Sequence, residues 1–207
     1  MPAIYHITHI RNLPLILQQG CLWCDNEKAA RQLEPVGIAH EHIKRRRAAR
    51  TVPVSRGGTL ADYVPFYFAP RSPMLYTIHR GNVEGYQEGQ GPVLHLVSST
   101  ERVAASGLPF TFTNGHAEML TSSFYEDLTD LDKVDWDIMR ATIWRDTADD
   151  GTRKWRRQAE FLIHNRFPVE LIAGIGVISN KIADSVKQIL AETGHQIQVA
   201  ARPNWYY

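Results

Sequence analysis

Apolar residues fall along this chain in short runs rather than long stripes. Residues 3–7, AIYHI, read as a strand, and residues 12–19 set Leu13, Ile16 and Leu17 on a helix that Gly20 ends. Residues 41–50 are a basic helical stretch, followed over 51–62 by a loop bearing Ser55, Gly57 and Gly58. The run VPFYFA, residues 64–69, is a compact aromatic strand closed by Pro70. Ser72 then caps a helix with Pro73 in its first turn, ending at Gly81. A glycine-bearing loop covers 83–91, a strand 93–97, and Ser98 or Ser99 caps a brief helix. Residues 109–123 begin as a strand and turn into a polar loop, with helices expected over 123–131 and 135–145. Strands are expected at 158–164, 175–178 and 197–200, with an amphipathic helix between the last two. That helix carries Ile182, Val186, Ile189 and Leu190, is capped by Asn180 and stops at Gly194.

Six or seven short strands with interspersed helices give an α+β fold in a single domain, residues 1–207. Strand spacing is too irregular for a βαβ nucleotide-binding domain, and neither G-x-G-x-x-G after a strand nor a P-loop is present. No apolar run approaches the roughly 20 residues that span a bilayer, and no opening segment reads as a signal peptide. The expected location is cytoplasmic.

Charge changes the picture only locally. The formal net charge is +1, from 23 Lys and Arg against 22 Asp and Glu. Yet Lys44, Arg45, Arg46, Arg47, Arg50 and Arg56 form one basic cluster, and Arg153, Lys154, Arg156 and Arg157 a second, while acids gather between Glu126 and Asp150. The pair Cys21 and Cys24 has no second cysteine pair to complete a zinc site and reads as reduced, semi-buried thiols. His40 and His42 lack further ligands, so no metal is expected.

Few residues stand out as chemistry. Glu160 interrupts an apolar strand, sharing a face with Gln158 and Leu162 while Ala159, Phe161 and Ile163 take the other. An unpaired buried carboxylate is costly, so Glu160 either points to solvent or serves a polar pocket. His6 and Thr8 share a face of the first strand, opposite Tyr5 and Ile7. Arg71, before the Ser72 cap, offers an anion or aromatic-ring site at a helix start. Asn114, His116 and Glu118 lie in a polar loop with no obvious packing role.

Taken in order, YHITHIRNL, GIAHEHIKRRR, DYVPFYFAPRSPMLY, FYEDLTDLDKVDW and QAEFLI resemble the DarT-type DNA ADP-ribosyltransferase toxins, over about residues 4–178. The resemblance implies an ADP-ribosyltransferase fold, with small split sheets and surrounding helices forming a cleft for NAD. It implies transfer of ADP-ribose to a ring nitrogen of thymine in single-stranded DNA, and an antitoxin whose macrodomain removes the mark. The family's catalytic glutamate falls on Glu160 and its NAD contact on His6, with Thr8 assisting. Its active-site arginine falls on Arg46 or Arg47, Arg47 being preferred. The base-presenting loop corresponds to about residues 109–123.

NAD is then a substrate, with His6, Thr8, Arg71, Arg47 and Gln158 as candidate contacts, and Glu160 or His116 handles the acceptor's proton. Arg45, Arg50, Arg56, Tyr63, Asn114, Lys154, Trp155 and Arg156 are candidate DNA contacts, combining positive charge with aromatic stacking. Two rivals remain: a transferase acting on RNA or protein, and a non-enzymatic domain that binds single-stranded DNA.

Overall fold

The computed structural model describes residues 2–207. Strand β1 (Ala3–His9) leads into α1 (Leu13–Gln19), β2 (Cys21–Trp23), α2 (Asp25–Ala30) and α3 (Glu41–Ala49). Next come β3 (Tyr63–Tyr67), α4 (Pro73–His79), β4 (Val93–Ser99), α5 (Thr100–Ala105), β5 (Phe110–His116) and β6 (Phe124–Tyr125). Helices α6 (Trp136–Arg140) and α7 (Arg153–Arg156) precede β7 (Ala159–His164), β8 (Arg166–Pro168), β9 (Gly174–Val177), α8 (Asn180–Glu192) and β10 (Val199–Ala201).

The strands divide unevenly. Eight form one sheet in the order β10-β9-β4-β1-β3-β7-β5-β6, and β2 pairs with β8 in a second. All ladders are antiparallel except β9 with β10, which are joined by the crossover helix α8. The α+β class is as expected, with its site on the middle strands.

Strand alternation sorts the core. Ile4, Leu94, Leu96, Phe66, Phe161 and Phe112 meet on one face in the main hydrophobic cluster. Ile7, Ile38, Leu75, Ile78 and Val93 form a second cluster, while Leu60, Tyr63, Ala117 and Leu162 form a third. Both faces of β1 and β7 are therefore covered, so the apolar run around Glu160 reflects a strand buried on both sides.

Several elements differ from the sequence reading. The expected helix over 123–131 is instead the short β6 followed by a 3-10 turn, Leu128–Lys133, and the one over 135–145 shrinks to α6. Aspartates start both pieces: Asp127 and Asp135 are their N-caps, accepting from backbone N–H groups two or three residues on. The cap of α8 is Ser179, whose side chain accepts from the Ile182 N–H, rather than Asn180. The last strand starts at Val199, and Gln158 lies in the turn before β7. Short β2, β8 and α2 were not foreseen.

β1 and β3 lie side by side but share a single register pair, Tyr5 with Tyr67. At the next rung, the His6 Nδ1 sits 2.8 Å from the Pro65 carbonyl oxygen. A side chain thus replaces a ladder bond, and the sheet opens between its central strands.

Behind that opening, His95 is fully buried, its Nε2 donating to the Pro70 oxygen at 3.0 Å. Burial pushes its imidazole from the usual 6.5 down to about 4. The unfolded chain therefore takes up this proton at higher pH than the folded one. Stability should be full above about pH 6.5 and fall towards pH 4, by up to ~1.4 kcal/mol per pH unit for this residue. His6, also pushed down to about 4 by burial, adds in the same direction. Urea midpoints across that window check this, and a flat profile would refute it.

Candidate active site

Glu160 sits in a gap made by its neighbours. On one side it faces Tyr67 of β3 across the ladder. On the other, Phe112 of β5 pairs with Phe161, which would bring Asn114 opposite Ala159, yet His116 stands there. Two extra residues therefore bulge out of β5 beside Glu160, a device that re-aims side chains next to active sites. Thr113 Oγ1 fills the gap by accepting from the Glu160 N–H at 3.1 Å. Gly115 lies so close to the Trp155 ring that an added Cβ would run into it.

The carboxylate is buried but not unpaired. Arg47 Nη1 donates to Glu160 Oε2 at 2.8 Å, with side-chain exposures of only 11% and 4%. The Ala117 N–H lies 3.3 Å from Glu160 Oε1. Burial opposes the Arg47 charge, but the adjacent Glu160 carboxylate outweighs it and raises the arginine's pKa. Loss of either partner would strand a charge away from water.

Helix α3 has no apolar stripe, and the residue it buries is Arg47. It docks through arginines. Arg46 pairs with Glu118, while Arg50 donates to the Ala117 and Met119 carbonyls at 3.4 and 3.3 Å. On the far side, Trp155 Nε1 donates to Ser122 Oγ at 3.0 Å, and Ser122 Oγ donates to the His116 carbonyl at 2.6 Å. The segment 115–122 is thus held between α3 and α7. At its tip Met119 and Leu120 project into solvent, Leu120 at 85% exposure.

The first strand carries two further candidates, His6 and Thr8. With its Nδ1 proton directed at Pro65, neutral His6 keeps Nε2 as an acceptor. Thr8 is buried and its Oγ1 accepts from Asn12 Nδ2 at 3.1 Å, so its hydroxyl oxygen serves the strand-to-helix corner. Asn12 also grips Val36 in both directions, donating to its carbonyl at 3.0 Å and accepting from its N–H at 2.7 Å. Arg71 lies at the turn from β3 into α4, over the Tyr207 ring.

The structure brings Glu160, Arg47, Arg46 and the 115–122 segment together and separates others from them. No hydrogen bond among the described residues joins His116 to Glu160; its Nδ1 accepts from the Glu118 N–H at 3.2 Å. Gln158 points away, its amide donating to the Lys154 carbonyl at 3.1 Å. Tyr63 is corrected outright: it is buried with its hydroxyl on the Gly57 carbonyl, so no base can stack on it in this conformation. Arg156 is neutralised by Asp135 and Asp150 and offers no free positive charge. Asn114 Oδ1 accepts from the Ser123 N–H, bracing the loop. Arg45, Arg56 and Lys154 are exposed, Arg50 is half-buried against the loop, and Trp155 is half-buried beneath the bulge.

Two contributors were missed. Tyr67 lay inside an aromatic run that read as core, and only the ladder puts it beside Glu160. Arg157 lay in a cluster that read as a surface charge, but it is buried. Among the described residues no group of three His, Cys, Asp or Glu side chains is arranged to hold a metal. No helix among the described residues is long and apolar enough to cross a membrane.

A family model described as DarT, ssDNA thymidine ADP-ribosyltransferase, matches residues 5–207. The chain belongs to this family. It is 44% identical over 206 residues to a DNA ADP-ribosyl transferase of Thermus sp. (strain 2.9), covering 99% of this chain and 95% of that protein. Its fold is similar to Thermus sp. 2.9 DarT in complex with ADP-ribosylated ssDNA, with TM-score 0.92, 42% identity and coverage of 100% and 96%. It is similar also to that DarT in complex with NAD+, with TM-score 0.88, 40% identity and coverage of 100% and 98%. A more distant relative in Thermosipho africanus, 22% identical, is a fusion of a DNA ADP-ribosyl transferase with a DNA ADP-ribosyl glycohydrolase. This chain spans 49% of that fusion.

Proposed function

We propose that this chain cleaves NAD at its nicotinamide–ribose bond and transfers ADP-ribose to thymine in single-stranded DNA, with Glu160 at the reacting centre. The observation that carries this reading is the buried Glu160–Arg47 pair set beside a bulge that leads directly into an exposed loop. Nicotinamide leaves with the bonding electron pair, and positive charge grows on the ribose. A carboxylate accepting from the 2′-hydroxyl strengthens its hold as that charge grows, so it stabilises the transition state more than the ground state. Neutral His6 offers Nε2 as an acceptor for a ribose hydroxyl, and Arg71 offers charge for the phosphates.

The ring nitrogen of thymine must lose its proton as it bonds to the anomeric carbon. Arginine stays protonated, so Arg47 stabilises the electron-rich base rather than acting as the base itself. His116 Nδ1 is already engaged, and the reading favours Glu160 as proton acceptor. Arg50 and Trp155 flank the 115–122 segment, and with the exposed Arg45 and Lys154 of the same helices they suit a single strand's phosphates and bases.

Mass spectrometry of a mixed-sequence oligonucleotide incubated with the protein and NAD tests the reading. A gain of one ADP-ribose on thymine supports it. A mark on RNA or protein instead sinks the DNA assignment, and no NAD consumption sinks the enzyme.

The apolar tip gives a sharper check. Replacing Met119 and Leu120 together by Ala should lower transfer to DNA about tenfold, because apolar side chains of this kind lodge against or between bases. NAD hydrolysis without DNA should stay unchanged. Equal loss of both activities would refute a DNA role for the tip.

As a partner we propose a macrodomain hydrolase that removes the ADP-ribose from DNA and so acts as antitoxin. The Thermosipho fusion supports this, since it joins transferase and glycohydrolase in one polypeptide.

A further inference from the structure

Arg71 and Arg157 are neighbours without an acid. Neither belongs to any ion pair among the described residues, and Arg71 Nε is buried with no partner. Arg157 spends its donors on neutral oxygens instead. Its Nη1 donates to the Ile138 and Met139 carbonyls at 2.6 Å each. Its Nε and Nη2 donate to the Arg71 carbonyl at 3.3 and 3.0 Å. Burial pushes Arg157 down to about 10, with the Arg71 charge acting the same way.

Tyr207 completes the arrangement. Its ring lies beneath the Arg71 guanidinium, 4.3 Å from centroid to carbon. Its hydroxyl lies 3.1 Å from the Arg71 carbonyl and 3.3 Å from that of Ser72, and accepts from Trp144 Nε1 at 3.0 Å. The Gln90 amide binds both the N–H and the carbonyl of Tyr207, so the residue is fixed by backbone and ring together.

This assembly adjoins the catalytic strand. Arg157 stands three positions before Glu160. From the other end of the turn, Met74 Sδ accepts from the Tyr67 hydroxyl at 3.8 Å, and Tyr67 faces Glu160. A guanidinium stacked on a ring keeps its donor edge free, and Arg71 so placed, with the buried Arg157 cation behind it and no carboxylate paired to either, suits a multiply charged anion.

We propose that Tyr207 and Arg157 are positioning residues that hold Arg71 ready for the diphosphate of NAD. The proposal rests on the reading of the cleft given above. Tyr207 sets the plane of the guanidinium, and Arg157 fixes the backbone that carries it. Neither touches the reacting atoms.

The test uses the full chain and the variants Arg71→Ala, Tyr207→Ala, Tyr207→Phe, Tyr207→Leu and Arg157→Lys. Thermal unfolding is measured first, then NAD consumption with and without a thymine-containing oligonucleotide. Inorganic pyrophosphate serves as a competing probe. Tyr207→Ala should raise KM for NAD about tenfold with kcat within about twofold, and should weaken pyrophosphate inhibition by a similar factor. Tyr207→Phe keeps the ring and should retain most of the affinity. Arg157→Lys, which loses the fork that grips the Arg71 carbonyl, should shift KM in the same direction as Tyr207→Ala. If Tyr207→Ala unfolds at assay temperature, Tyr207→Leu fills the space without a π face and should show the same KM shift. Should Arg71→Ala raise KM while the Tyr207 and Arg157 variants do not, the positioning proposal fails and the diphosphate reading stands. Should Arg71→Ala leave both KM and pyrophosphate inhibition unchanged, the assignment of Arg71 fails with it. A fall in kcat or stability alone, with KM unmoved, also overturns the proposal.

Discussion

Glu160→Gln is expected to stop turnover while leaving the fold in place. The carboxylate's advantage is its charge, which answers the positive charge building on the ribose. An amide keeps the shape and an acceptor oxygen for Arg47, but not that charge. A rate loss on the order of 10²–10³ is the usual effect of removing one such preorganised group. Both NAD cleavage without DNA and transfer to an oligonucleotide should fall together, because both pass through the same bond breaking. Glutamine rather than alanine is the informative choice, since alanine would leave Arg47 buried without any acceptor on that side chain. Circular dichroism and thermal unfolding establish that the variant is folded. Retention of more than about a tenth of the NAD cleavage rate would remove Glu160 from the reacting centre.

What the sequence revealed about this site depended on the physical scale of each signal. The strand around Glu160 was legible as a short apolar run, and the burial of both faces explains its unbroken apolar character. The 115–122 segment was legible as part of a polar loop, but its clamping between α3 and α7 was not. That depends on a bulge in β5 and on Arg46, Arg50 and Trp155, which reach it from positions far away in the chain.

Tyr63 and Arg156 misled for the same reason. An aromatic or a charge near a basic run carries no mark of whether it is buried or already paired. The Thr8 hydroxyl and the Gln158 amide likewise found partners within their own turns. Arg157 shows the converse: a buried cation satisfied by backbone carbonyls has no complementary residue for a sequence reading to find. The α+β class needed only short-range pattern. The order of strands, which brings β1, β3 and β7 together from three separate parts of the chain, needed the tertiary fold.

The three arginines at positions 45–47 give the second large prediction. Successive residues of a helix are rotated by roughly 100°, so only one of the three can face the sheet. Arg47 does so, Arg46 pairs with Glu118 nearer the surface, and Arg45 is exposed. Arg47→Met should cost about 3–5 kcal/mol of stability, the usual result of leaving one member of a buried ion pair alone. Arg46→Met should cost less than Arg47→Met, because that guanidinium is largely in solvent although its partner Glu118 is mostly buried. Urea unfolding of both variants separates them, and equal costs would mean that Arg47 is not the buried partner in solution. Activity should be lost in Arg47→Met as well, which alone would not distinguish chemistry from folding. The double variant Arg47→Met with Glu160→Gln isolates the folding part. With no charge left in the site, most of the stability lost in the single variant should return, since a neutral pair needs no counter-charge. Catalysis should not return with it. Recovery of stability would show that the destabilisation of Arg47→Met comes from the stranded Glu160 charge, and that the fold itself tolerates an uncharged pair in this site.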